Sequence, residues 1–323
     1  MAAINTPYIS IVSPIYLAEN LVFPLVEEIK KYVITISDNY EIILVEDGSP
    51  DNSWEKIEEV CNENNKVLGI KLSRNFGQHY AICAGIRYCR GNWIIVMDCD
   101  LQDRPDQFVK LYNKTKEGFD IILAQRKIRN DSFFKIQFSK LFYKLFSYLT
   151  ETEQDPTIAN FGMYNKKVID AILEMNDYIK FFPTMVQWVG FKKTKVEVLH
   201  GKRELGKSSY NIKKLTSLAL NNILSFSNKP LRLTVFFGII LSGISSIVGF
   251  IQFVKYLNGK ITETGFTSLI LSIWFLSGVI IFLLGILGIY LGKVFENVKN
   301  RPVYIVDRIT SKNSEIANTN KTC

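Results

Sequence analysis

Along the first hundred positions the apolar residues switch repeatedly between two periods. Residues 9–12 are a short β-branched run, and beyond Pro14 the apolar positions Leu25, Val26, Ile29 and Val33 recur at the three- and four-residue spacing of one helix face. Residues 41–45 (EIILV) read as a buried strand ending at the turn cluster Asp47-Gly48-Ser49-Pro50, and a helix follows over about 53–62. A strand at 67–72, a helix at 79–87 and a strand at 93–97 complete a βαβαβαβ series. Within one domain that alternation implies an α/β fold, a mostly parallel sheet with helices on both faces. Ligands of such open sheets bind beyond the carboxyl ends of the strands, which singles out Pro14 and Tyr16, Glu46 and Asp47, Ser73 and Arg74, and Asp98 and Asp100. The first strand exits into SPIYLAEN, without the glycine fingerprint of a dinucleotide site.

The pattern changes near the C-terminus. No charged side chain occurs over 233–254, a run that as a helix would be about 33 Å long. A second uncharged run covers 264–292 and is closed by Lys293. Neither run has a polar face, so two membrane helices, at about 233–254 and 267–291, are expected over a pair of buried core helices. Over 132–149 aromatic and Leu residues interleave with Lys135, Lys140 and Lys144, which suits a helix lying in a membrane interface, with a domain-core helix as the alternative. A second amphipathic stretch, 210–226, leads through Pro230 into the first apolar run. The expected division is a catalytic domain over 1–209, a juxtamembrane helix over 210–230, two membrane helices within 231–292 and a tail over 293–323, disordered beyond Ile309.

Composition supports this division, since 47% hydrophobic residues alongside 22% charged ones point to apolar content gathered in one place. The net charge of +8 does not point to nucleic acid, because of where it sits. Lys213, Lys214, Lys229 and Arg232 precede the first apolar run and Lys293, Lys299, Arg301 and Arg308 follow the second, while the connection carries only Lys255, Lys260 and Glu263. That bias puts both ends in the cytoplasm, as a multi-pass protein of the cytoplasmic (inner) membrane whose large domain faces inward, with anionic headgroups as its partner. Residues 1–7 show no signal-peptide pattern. Five cysteines, Cys61, Cys83, Cys89, Cys99 and Cys323, lack zinc-type spacing and fit reduced thiols, and the two histidines, His79 and His200, do not make a metal site.

Asp98-Cys99-Asp100 directly follows the strand WIIVM, where carboxylates at i and i+2 can hold a hard divalent ion against a diphosphate. An isolated Asp-x-Asp is common and can be a solvated turn. Its place after three earlier polar strand ends makes it the candidate for metal-assisted departure of a nucleoside diphosphate.

The segments SPIYLAEN, ILVEDGSPDNS, LSRNFGQHYAICAGI, VMDCDLQDRPD, KRELGKSSY, SFSNKPLRL and IYLGKVFENVKNRPVYIV together resemble family 2 glycosyltransferases of the polyisoprenyl-phosphate branch. That branch includes dolichyl-phosphate mannose synthases and bacterial undecaprenyl-phosphate glucosyl- and aminoarabinosyltransferases. The resemblance implies a GT-A catalytic domain, Rossmann-like with a mostly parallel sheet, followed by amphipathic interface helices and a two-helix transmembrane hairpin. It implies an inverting transfer from a nucleotide-sugar donor, a UDP-sugar first, to a polyisoprenyl phosphate, with Mg or Mn as cofactor. Similar proteins assemble as tetramers, so a homotetramer is an expectation from the resemblance alone. Carried over residue by residue, Pro14, Tyr16, Val45 and Asp47 fall where the family holds the nucleoside, and Asp98, Asp100 and Gln102 where it holds diphosphate and metal. Arg126 and Arg203 fall near positions that grip phosphates and join Asp98 and Asp100 as the catalytic set. Glu19, Arg74, Cys99 and Lys207 complete the nucleotide-sugar site.

The chain departs from the family pattern in four places. Leu17 and Ala18 intervene before Glu19; Glu46 replaces an Asp; and Ser209 stands where a Lys is frequent, with Lys207 two residues earlier, so either can be the one that meets the donor phosphate. Asn160-Phe161-Gly162 replaces an Asp-Phe-Arg. Asn160 cannot act as a base, but a phosphomonoester with a second pKa of about 6 is already largely dianionic at neutral pH. An alcohol acceptor would instead need a base from elsewhere, Asp103 or Asp155. Alternative readings are a transferase acting on a lipid-linked oligosaccharide, a polymerising synthase, or a silent scaffold.

Overall fold

In a computed structural model of the protein, the described residues are 8–126, 148–149, 157–175, 177–199, 201, 227, 229–258 and 265–312. The chain divides into two compact units. One comprises Met1–Leu145, Thr152–Asn211 and Pro302–Cys323; the other Phe146–Glu151 and Ile212–Arg301.

The first unit is built on one eight-stranded sheet of order β7-β5-β6-β4-β1-β2-β3-β8. Its strands are β1 (Ile9–Ile15), β2 (Tyr40–Glu46), β3 (Val67–Leu72), β4 (Trp93–Val96), β5 (Ile121–Arg126), β6 (Ile158–Asn165), β7 (Lys193–Val198) and β8 (Val306–Thr310). Strands β3, β2, β1 and β4 are parallel neighbours, as the alternation of periods requires. All seven residues of β1 and of β2 are buried, because helices cover both faces of the central strands. Helix α1 (Val22–Val33) buries Val22, Leu25, Val26, Ile29 and Val33, the apolar stripe visible in the sequence, and α2 (Ser53–Glu63) buries Trp54, Ile57, Val60 and Cys61. Helix α3 (Gln78–Arg87) lies against β1 and β2 at Gly85, where a Cβ would come within 2.4 Å of Val12 and 2.9 Å of Val45.

Beyond β4 the topology turns mixed. A short 3-10 turn and α4 (Phe108–Thr115) lead to β5, and β6 then inserts antiparallel between β4 and β5. Helices α5 (Lys166–Glu174) and α6 (Phe182–Trp188) precede β7, which is parallel to β5. At the opposite edge β8 pairs antiparallel with β3, from Gly69↔Thr310 to Leu72↔Val306. The sequence places these residues in a tail; in the structure they close the sheet.

The second unit contains two long helices, α7 (Lys229–Leu257) and α8 (Phe266–Val298). Ser272–Val298 is long and apolar enough to cross a membrane, and none of that apolar window is buried. The described residues of α7 give a shorter apolar stretch, Leu231–Ser245, so one candidate span stands where two are expected. Tyr290 Oη donates to Ser227 O at 3.0 Å, and Lys229 Nζ donates to Tyr148 O at 2.6 Å. Of the expected interface helix over 132–149 only 148–149 are described, and they are helical; of 210–230 only 227, 229 and 230 are described.

Candidate active site

Because β3, β2, β1 and β4 run the same way, their exits converge on one edge of the sheet. The register sets Pro14 beside Val45 and Ile15 beside Glu46, and Asp47 N donates to Ile15 O at 3.0 Å. Strand β5 is antiparallel to β6, which is antiparallel to β4, so β5 also ends at this edge and brings the Arg126 backbone there. Strand β6 starts at the same edge. Its pairing with β4 ends at Gly162 beside Val96, with Asn160 two residues further toward this edge on β6.

The β1 and β2 exits are laced together. Leu17 N donates to Ser49 Oγ at 2.8 Å, Ala18 N to Ser53 Oγ at 3.2 Å, and Glu19 N to Asp51 Oδ2 at 3.1 Å. Asn52 N returns a bond to Glu19 Oε2 at 3.2 Å, so the Glu19 carboxylate braces the neighbouring loop. Burial alone would raise the Asp51 pKa, but the Ser49 and Ser53 hydroxyls and the Glu19 and Ser53 N–H groups outweigh it and hold the carboxyl below its usual value. Leu17 sits at φ 52° and Leu101, beside Asp100, at φ 57°, so both flanking loops hold a bulky residue in the left-handed region.

Asp47 has a different environment. It is 3% exposed, and its two oxygens accept Phe76 N and Gly77 N, each at 2.8 Å. Burial raises its pKa, and those two N–H groups only partly counter that. Burial likewise raises Glu46, whose Oε1 accepts Ser49 N. Glycine is required at 48: φ is +60°, and a Cβ would lie 2.2 Å from Asn75 N. Arg74, on the loop after β3, is exposed and lays its guanidinium 4.3 Å from the Phe76 ring.

Beyond β4, Gln78 Nε2 donates to Asp98 Oδ1 at 2.6 Å and Asp98 N donates to the buried Asp103 at 3.3 Å. Gln102 N donates to Asp100 Oδ1 at 3.2 Å, and Gln102 O accepts Gly201 N at 2.9 Å. Burial, with the charges of Asp98 and Asp100, pushes the Cys99 thiol up to about 12, so it is neutral and a poor ligand. His79 is held neutral by burial, with its pKa lowered to about 4.

Pro14, Tyr16, Glu19, Val45, Asp47, Arg74, Asp98, Cys99, Asp100 and Gln102 thus gather at one edge. Arg203 and Lys207 lie outside the described residues, as does the Arg126 side chain. Among the described residues no group of three or more His, Cys, Asp or Glu could hold a metal ion by itself. Two partly exposed carboxylates form an incomplete set of hard oxygen donors, which fits Mg or Mn when substrate phosphates supply other ligands. The sequence does not disclose Gln78 or the Ser49–Asp51–Ser53 brace. The only signals are a polar residue after Gly77 and the density of turn formers over 47–53.

A mostly parallel α/β sheet with these acids at its carboxyl edge is the GT-A-like arrangement of a glycosyltransferase that takes nucleotide-sugar donors. The model of glycosyl transferase family 2 matches residues 10–173, and the chain belongs to that family. It is 36% identical over 300 residues to the uncharacterized glycosyltransferase YkcC of Bacillus subtilis, covering 93% of each chain. It is 31% identical over 304 residues to the undecaprenyl-phosphate 4-deoxy-4-formamido-L-arabinose transferase of Proteus mirabilis, again covering 93% of each. Among solved structures, the mannosyltransferase PcManGT of Pyrobaculum calidifontis, in complex with GDP-Man and Mn2+, overlays with a TM-score of 0.48 at 10% identity, covering 71% of this chain and 65% of that one.

Proposed function

We propose that the protein transfers a sugar, with inversion, from a nucleotide-sugar donor to a polyisoprenyl phosphate at the cytoplasmic face of a membrane. The donor is a UDP-sugar on the first expectation. The observation that carries this reading is the pair Asp98 and Asp100 at the exit of β4, in a chain similar over nearly all its length to an undecaprenyl-phosphate sugar transferase. Bound between those acids, Mg or Mn would supply positive charge against the departing diphosphate. Pro14, Tyr16, Val45 and Asp47 are the residues of this edge for the nucleoside, Arg74 belongs to the wider nucleotide-sugar site, and Arg126, Arg203 and Lys207 supply guanidinium and ammonium groups for phosphates. Asn160, near the start of β6 at this edge, cannot take a proton, which suits an acceptor phosphate that is already ionised.

The second unit favours a lipid-borne acceptor. Trp274, Phe282 and Leu291 of α8 are 77%, 66% and 69% exposed, a surface at home in hydrocarbon. With α7 it forms a two-span hairpin in this reading, with 132–149 and 210–230 as helices on the headgroups and four copies as the assembly. The test is turnover in membranes containing the protein, with labelled nucleotide sugars and a short polyprenyl phosphate. We expect a sugar-linked lipid phosphate that is lost with EDTA and reduced at least about 100-fold by Asp100→Ala. Product formed only on an oligosaccharide-lipid acceptor would overturn the acceptor assignment.

A further inference from the structure

The loop from β3 to α3, which starts at the catalytic edge, is fixed at three points. At its start, Ser73 N donates to Ile305 O at 2.9 Å, on the segment entering β8. In its middle, Gly48 leaves room for the backbone of Arg74 and Asn75. At its end, both oxygens of Asp47 are engaged by Phe76 N and Gly77 N, and Gly77 adopts φ 108°. The next residue, Gln78, opens α3 and places its amide 2.6 Å from Asp98 Oδ1.

We propose that Gln78 is a positioning residue that sets the direction of the Asp98 carboxylate, and that Asp47 serves the same end by holding the loop that carries Gln78. The Asp98 side chain lies just beyond the end of β4, and a neutral amide donor orients its carboxylate without bringing a competing positive charge. An ammonium at this position would repel a divalent cation; an amide does not. Asp47 suits its part because it is buried, so its two short bonds to backbone N–H groups are shielded from water.

This inference rests on the reading of Asp98 and Asp100 as a cation-holding pair, and the experiment separates the two. The full chain in detergent is titrated with Mn2+ in the presence of UDP or GDP, whichever the wild type binds, and bound Mn2+ is followed by electron paramagnetic resonance. Turnover is measured against Mn2+ in parallel. Gln78→Met keeps the length of the side chain and removes the donor; its Mn2+ half-saturation is expected to rise by about tenfold, the usual scale for loss of such a partner. The melting temperature without metal and the KM for polyprenyl phosphate stay at wild-type values, which a general loss of structure would not allow. Should Gln78→Met fail to fold, Gln78→Leu carries the test, since it also lacks the amide donor to Asp98 and the half-saturation must weaken severalfold. A half-saturation within about twofold of wild type in the folded variant, alongside loss of Mn2+ binding in Asp98→Ala, would overturn the proposal and leave the cation site standing. Wild-type protein that binds no Mn2+ and turns over in EDTA would overturn both.

Discussion

Asp51 and Asp47 stand four residues apart in one loop, yet burial wins at one and hydrogen bonding at the other. The sign of the pH dependence follows. Asp51 has its folded pKa below the ordinary 3.8, so its stabilising contribution is present above that value and is lost as pH falls through the lower, folded pKa. Asp47 and Glu46, raised by burial, act in the opposite sense: their ionised forms oppose folding, at full cost above their folded pKa values, and that cost recedes as pH falls through those values toward the ordinary ones. Asp51→Ala should therefore destabilise by about 1–3 kcal/mol at neutral pH, with the difference from wild type shrinking below about pH 4; urea unfolding at several pH values checks it. At this scale the sequence discloses what chemistry advertises. Two acids at the end of a β-branched run are recognisable as Asp98 and Asp100, whereas Gln78 meets Asp98 across 20 residues and two strand exits, a distance that no local pattern records.

Among the elements, the four parallel strands and the helices between them are legible because each is a run of one period bounded by turn formers. The later strands are not. Strand β6 pairs antiparallel on both sides, and which strands neighbour one another is set by packing rather than by alternation within a strand. Strand β8 exposes Asp307 and Arg308 and buries none of its residues fully, so it resembles a solvated tail; those charges are what an edge strand needs to discourage pairing with another chain. Helix α3 offers the clearest test of how an element transmits to the site. Gly85 lets it approach β1 and β2, and Gln78 stands at its other end. Gly85→Ala should cost about 1–3 kcal/mol by overpacking and should also raise the Mn2+ half-saturation, because the helix that carries Gln78 is displaced; denaturant midpoints and turnover titrated against Mn2+ read the two effects.

At the scale of the whole molecule, the catalytic unit is discontinuous in sequence: Ile212–Arg301 is inserted before Pro302–Cys323 returns to it. The apolar runs were legible in the sequence from composition alone, but the return was not, since nothing local in residues 306–310 announces a partner more than two hundred positions earlier. A fragment ending before α7 would leave β3 as an open edge and leave Ser73 N without Ile305 O. Such a fragment should aggregate and unfold at lower denaturant than the full chain, and adding the 302–312 segment as a peptide should recover part of the difference; light scattering and urea midpoints measure both. The same arrangement sets an order on biogenesis. On the proposed membrane reading, the nascent chain delivers the apolar segment Ser272–Val298 to the insertion machinery while one border of its enzyme sheet is still unpaired, because β8, the strand that covers it, is translated afterwards. On that reading, a polypeptide stalled between α8 and β8 would already be directed to a bilayer while its sheet still lacked a border strand.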